Sequence, residues 1–174
     1  MSAPRAWIRV ATWLLAVGAA ATLHAQALEV QESSGTVEAF LPDLGWRQAV
    51  VGRPLPADSV LTSWVGSKAR VGFADSTCTV DALTDVRVQA VSDQLVRLSL
   101  LAGGITVQTG AVPYEIEFRG VTVRVEGGEA SLSDGVLTLR SGTSVVTGAG
   151  GTPLPLKPGA VLDLLSRNEG PVFR

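Results

Sequence analysis

Apolar and polar residues alternate with a period of two along almost the whole chain from about Glu29 onward. No segment of that part sustains the i, i+3, i+4 and i+7 apolar spacing of an amphipathic helix. Short alternating runs are typical of strands that bury one face. Strands are therefore predicted over residues 35–40, 46–51, 60–64, 69–73, 78–83, 86–91, 95–100, 105–108, 114–118, 121–125, 129–132, 136–140, 143–146 and 160–165.

The connections between these runs are short and contain turn-forming residues, such as Gly127-Gly128 and Ser133-Asp134-Gly135. Many short strands with close turns indicate a sandwich, a barrel or a small β-solenoid. A parallel α/β fold is excluded because no crossover helix is available. We predict an all-β single domain that is β-solenoid-like, since a short strand and a glycine turn repeat over residues 120–147; a β-sandwich is the alternative.

The N-terminal segment has the pattern of an export signal. Arg5 and Arg9 precede an apolar stretch that ends in Ala25-Gln26-Ala27, which matches a cleavage site. The apolar stretch, residues 10–23, is shorter than the roughly 20 residues that span a bilayer. We predict a signal peptide helix over 1–27, cleaved after Ala27 or alternatively after Ala25, with retention as an inner-membrane anchor as the other alternative. The β domain then covers 28–165, and 166–174 is a flexible tail.

Composition and charge narrow the possible partners. Hydrophobic residues make up 46% and charged residues 17%, which fits a chain that buries a core. Cleavage removes two of the 14 basic residues and none of the 16 acidic ones, which leaves a net charge of −4 and no basic footprint for nucleic acid. It also removes His24, the only histidine. Cys78 is the only cysteine and is expected to be a half-buried strand residue without an internal disulfide framework; pairing with another molecule is the alternative.

The order of several motifs resembles the FecR domain. The motifs are Val51-Gly-Arg-Pro-Leu55, Asp58-Ser-Val-Leu-Thr62, Ser67-Lys-Ala-Arg-Val-Gly-Phe73 with Asp75-Ser76, Leu83-Thr-Asp-Val-Arg-Val88, Tyr114-Glu-Ile-Glu-Phe118 and Val121-Thr-Val-Arg-Val125. Residues 96–107 also fit in order, and the resemblance as a whole covers roughly residues 35–164. The turns depart from the family pattern, because Asp75-Ser76 lacks the intervening glycine and Arg119-Gly120 replaces Thr-Pro.

The resemblance implies a periplasmic, solenoid-like module that works by protein–protein contact. The family is best known in inner-membrane anti-sigma regulators of iron–siderophore signalling. Those regulators have a cytoplasmic sigma-binding segment before the membrane span and a second periplasmic subdomain after the β module. Neither is expected here, so we carry over the fold and the location, and not the anti-sigma activity.

The residues offer no catalytic constellation. Without histidine after cleavage, Ser-His and Cys-His nucleophiles and histidine metal sites are excluded. Carboxylates such as Asp81, Asp85, Glu115 and Glu117 suit a solvated strand face or local turn contacts better than an acid pair or a calcium site. We therefore predict no catalytic residues, no metal and no cofactor.

A binding surface is the remaining prediction. Trp46 and Trp64, near turns or strand ends, either cover the edge of the core or stack on a sugar or a partner residue. Arg119, Arg124 and Arg140 are predicted on strands, where they form a small basic ladder or part of a solvated face. The predicted function is a periplasmic or secreted, non-enzymatic module that binds an envelope protein; the alternative partner is a cell-wall glycan. Membrane contact is expected only through an uncleaved signal segment.

Overall fold

The computed structural model describes residues 26–148 and 150–165. Within these ranges the chain forms strands and turns without any helix, which confirms the all-β prediction. The predicted signal helix, residues 1–27, lies outside the described residues except for Gln26 and Ala27, and the tail from residue 166 lies outside them entirely. The strands are β1 (Leu28–Ser34), β2 (Val37–Leu41), β3 (Gly45–Gln48), β4 (Pro54–Leu55), β5 (Val60–Ser63), β6 (Lys68–Phe73), β7 (Ser76–Val80), β8 (Thr84–Ser92), β9 (Leu95–Ala102), β10 (Gly104–Gln108), β11 (Tyr114–Phe118), β12 (Val121–Glu126), β13 (Glu129–Ser133), β14 (Val136–Leu139), β15 (Thr143–Thr147), β16 (Pro153–Leu156) and β17 (Val161–Asp163).

The strands form two large sheets. Sheet A has the order β17-β14-β13-β10-β7-β6-β1-β4, and sheet B has the order β16-β15-β12-β11-β9-β8-β5-β2-β3. Neighbours are antiparallel except β9 and β11, which are parallel. The chain crosses to the other sheet after every one or two strands and advances along both sheets as it does so. This progression resembles that of a solenoid, while the two-sheet core resembles that of a sandwich.

The period-two pattern decides which side chains enter the core. In β12, Val121, Val123 and Val125 are buried, whereas Thr122 and Arg124 lie on the outer face. Inward residues of both sheets form one hydrophobic cluster. Burying each valine or leucine fully contributes about 1.5–3 kcal/mol, so the cluster supplies the main stabilisation.

Two polar side chains lie inside this core. Cys78 on β7 is fully buried, not half-buried as expected, and burial, with a smaller effect of Asp81, raises the pKa of its thiol to about 12. Tyr114 on β11 is also fully buried, and its hydroxyl has no hydrogen-bond partner. Burial, helped by Cys78, raises the pKa of Tyr114 above its usual value of 10.0. Neither group is ionised at neutral pH.

Three strands were not predicted from the sequence. The first is β1, whose pairing with β6 shifts register between Val30 and Glu32. This shift interrupts the alternation of buried and exposed side chains in the second half of β1. β16 contains Pro153 and Pro155, and it is the last strand of sheet B, where a proline removes no bond between two strands. The short β4 likewise starts with Pro54 and lies at an edge.

Candidate binding surface

An aromatic pair lies on the outer face of sheet B, at the end formed by β2 and β3. Phe40 and Trp46 are opposite each other in register, and their ring centroids are 5.7 Å apart in an edge-to-face arrangement. The pair belongs to the outer side because its neighbours Ala39 and Leu41 are buried in the core. Trp46 nevertheless keeps 51% of its surface exposed. Phe40 therefore contacts one part of the indole, and the rest is open to solvent.

The second tryptophan lies on the other side of β2. Trp64 follows β5, and its indole Nε1 donates a hydrogen bond of 2.9 Å to Oε2 of Glu38. Its exposed fraction is 52%. With about 4.8 Å between strands and 3.4 Å per residue, the backbones of the two tryptophans are on the order of 15 Å apart. Glu38 therefore lies between two half-exposed indoles.

An apolar groove adjoins β3 where the chain returns towards sheet A. Three large apolar residues are more than half exposed here, namely Leu44, Val50 and Val51. Together with Leu41, Arg53 and Pro54 they line a cavity of about 430 Å³ that opens to solvent. Exposed apolar side chains that adjoin each other are typical of interaction sites, whereas single ones are common on any surface.

Two arginines at this end of the molecule have no ion-pair partner among the described residues. Arg47 and Arg53 take part in none of the five ion pairs formed within the described ranges. The Nη1 atom of Arg47 instead donates to the backbone oxygen of Trp46 at 2.8 Å. We call the set Leu44, Trp46, Arg47, Val50, Val51 and Arg53 the β3 patch. It combines an exposed aromatic ring, aliphatic side chains and unpaired cations.

The three other arginines of the predicted surface do not come together. Arg119 lies in the turn after β11, with a positive φ of 48°, and its guanidinium is 5.5 Å from the Phe118 ring centroid. Arg124 is in sheet B and pairs with Glu126 at 2.6 Å. Arg140 follows β14 of sheet A and pairs with Glu129 at 2.5 Å. They therefore form no basic ladder, and two of the three are neutralised by acids.

The described residues show no metal-binding constellation. Across 26–148 and 150–165, no three His, Cys, Asp or Glu side chains are grouped so that they could hold an ion. In the same ranges there is no helix with the length and hydropathy needed to cross a membrane.

Sequence reasoning found the two tryptophans but missed most of the β3 patch. The run from Trp46 to Val51 was predicted as one strand, so Val50 and Val51 were expected to be divided between its two faces. The strand ends at Gln48, and the residues after it leave the sheet. Nothing in the sequence indicated Arg47 or Arg53 as candidate site residues, because arginine side chains ordinarily lie on the solvated surface.

The comparisons with known proteins concern the fold. No family model matches the chain, and no curated protein matches it significantly. Two crystal structures from Parabacteroides distasonis, each described as "a putative anti-sigma factor", superpose with a TM-score of 0.51 at 17% and 16% sequence identity. Each match covers 66% of this chain and 57% of the other. At this identity the likeness shows a shared β architecture.

Proposed function

We propose that the chain is a non-enzymatic binding module of the cell envelope, exported to the periplasm or secreted, that works by contact with another protein. The observation that carries the proposal is the β3 patch beside Trp64. Half-exposed aromatic rings, an open apolar groove and unpaired arginines are the features that binding energy usually depends on in protein interfaces.

Two further observations support this class. The order of sequence motifs resembles the FecR domain, and the solved structures with the same fold are described as anti-sigma factors, which are regulators. Because the chain spans 57% of those structures at low identity, their activity is not transferred as such. A signalling-related module of FecR type is the finer form of the proposal.

The test is site-specific photocrosslinking in the native envelope. A photoreactive amino acid replaces Leu44 or Val65, which flank the two tryptophans and are 55% and 77% exposed. Leu101, 48% exposed on β9, is the matched control because it lies four strands from β3 in the same sheet. We expect one protein adduct from positions 44 and 65 and none from position 101. Equal labelling at all three positions, or no protein adduct, contradicts the proposal.

A glycan is the second candidate partner, and one observation favours it. Glu38 lies between two exposed indoles, and stacking on aromatic rings next to a carboxylate acceptor suits a sugar chain. The discriminating measurement is a pull-down with purified peptidoglycan and envelope polysaccharide. Binding that falls in Trp46→Ala and Trp64→Ala, and stays in Arg47→Ala, favours the glycan. Unchanged binding in both tryptophan variants excludes a glycan partner.

A further inference from the structure

Within the part of the chain that the structure describes, the two sheets have four edge strands, and three of them are poor partners for another strand. β4 has two residues and starts with Pro54, and β17 has three residues. β16 has Pro153 and Pro155, which lack the N–H group needed for pairing. β3, the fourth edge strand, has four residues, Gly45–Gln48, and contains no proline.

The backbone of β3 directs hydrogen-bonding groups away from β2 at this edge. The N–H of Ala49 donates to the carbonyl of Val37 on β2 at 2.9 Å. Since antiparallel strands alternate bonded and non-bonded pairs, Arg47 also bonds to β2, whereas Trp46 and Gln48 direct their N–H and C=O groups away from it. The carbonyl of Trp46 confirms this direction, because it accepts from the guanidinium of Arg47 and not from β2.

The charges around the edge specify what kind of strand fits. Arg47 lies on the edge itself, and Arg53 lines the apolar groove beside it. Neither has an acidic partner among the described residues, although the chain as a whole carries a net charge of −2. A partner segment that carries acidic residues supplies the missing charges, and its apolar residues cover Leu44, Val50 and Val51. A second copy of this acidic chain is less complementary.

We propose that the free edge of β3 binds an extended, acidic and apolar segment of a partner protein as an additional strand of sheet B. The inference rests on the proposed function and names the chemistry of the partner at the same surface. Main-chain bonds to the N–H of Trp46 and to the N–H and C=O of Gln48 supply affinity, and the contacts to Arg47, Arg53 and the groove supply selectivity.

Two substitutions at Gln48 isolate the edge. Gln48→Pro removes an outward N–H group and no bond between β2 and β3, whereas Gln48→Ala keeps that group and removes the same side chain. Circular dichroism and a melting curve establish that both variants fold. They differ in one property that matters here, the ability of position 48 to donate to an incoming strand.

The first measurement uses defined peptides and isothermal titration calorimetry. The probe is a capped octapeptide of alternating valine and glutamate, and its control has lysine in place of glutamate. We expect the acidic peptide to bind the wild-type chain and Gln48→Ala alike, and Gln48→Pro about tenfold more weakly, because a main-chain bond is lost. The lysine peptide is expected not to bind. Equal binding to both variants, equal binding of both peptides, or no binding overturns the proposal.

The second measurement separates this inference from the function on which it rests. Photocrosslinking from position 44 is repeated in the Gln48→Ala and Gln48→Pro backgrounds. Loss of the protein adduct in Gln48→Pro alone supports strand addition. An adduct that persists in Gln48→Pro overturns strand addition and leaves the proposed function intact, whereas no adduct in the wild type overturns the proposed function. An adduct with the mass of two copies shows that the edge pairs with itself, and it overturns the acidic partner.

Discussion

The indole nitrogen of Trp64 donates to the carboxylate of Glu38 at 2.9 Å, and this bond joins two elements that are 26 residues apart in the chain. Glu38 is on β2, which also holds Phe40 against Trp46. One strand therefore positions both exposed tryptophans, one from each side. This arrangement gives sheet B a defined aromatic surface near its β3 edge.

Loss of the Glu38 carboxylate is expected to free Trp64 without unfolding the protein. With Trp7, Trp13 and Trp46 all replaced by Phe, Trp64 is the only tryptophan of the chain, so fluorescence reports on it alone. Glu38→Ala should increase quenching by acrylamide and lower the free energy of unfolding by less than about 1 kcal/mol, because the bond is exposed. Glu117→Ala, which removes a contact to Gln89 on the same sheet, is the control and should leave quenching unchanged.

The Cys78 thiol is expected to be inert in the folded protein. It is fully buried, and burial raises its pKa to about 12, so the thiolate that attacks disulfide reagents is absent at neutral pH. An aromatic disulfide reagent should label Cys78 only in denaturant. Rapid labelling under native conditions contradicts the burial of β7.

The same thiol makes stability fall at alkaline pH. In the unfolded chain it ionises near pH 9.0, whereas in the folded chain it stays protonated until about pH 12, so the unfolded state binds fewer protons in between. The free energy of unfolding should therefore decrease with a slope approaching about 1.4 kcal/mol per pH unit in that window. Urea titrations compare the wild type with Cys78→Ala, in which Tyr114 remains and the slope should be smaller. Identical slopes would count against the raised pKa.

Val123→Asp should prevent folding. Val123 is fully buried between Ile116 and Val146 in sheet B, and a carboxylate there has no partner to offset its desolvation. Val145→Asp is the control, since Val145 points outward and lies opposite Arg124. Circular dichroism and gel filtration should show folded protein for the control only. A soluble Val123→Asp variant with an unchanged melting curve refutes the assignment of the inner face.

Alanine substitutions at Gly142 and Gly120 distinguish two sources of destabilisation. One is the strain of a side chain at positive φ, and the other is a steric clash of the new Cβ atom with its neighbours. Both glycines have a positive φ, of 79° and 75°. A Cβ atom at Gly120 meets nothing within 4 Å, whereas one at Gly142 lies 2.5 Å from the oxygen of Glu126 and 2.7 Å from the Cα of Gly128. Thermal denaturation should show a loss of about 1–2 kcal/mol for Gly120→Ala and a clearly larger loss for Gly142→Ala. Equal losses contradict the close approach.

Particular residues show which parts of the fold could be predicted. Val121, Val123 and Val125 face inward as their alternation predicts, and Glu115 and Glu117 point outward together. β1 was missed because a register shift at Val30 and Glu32 breaks the pattern, and β16 because its prolines suit only an edge. Which strand lies at an edge depends on long-range pairing, which alternation does not encode.

The sequence by itself determined the β class, the two faces of most strands and the candidate tryptophans, because side chains alternate with a fixed period of two in any strand. Only the tertiary structure decided that Trp46 and Trp64 lie on one sheet on either side of Glu38, that Arg119, Arg124 and Arg140 are apart, and that β3 is a free edge beside an apolar groove. The physical reason is that strand neighbours are chosen by the packing of the whole core. A local pattern states which face a residue occupies and leaves open which strand, if any, lies next to it.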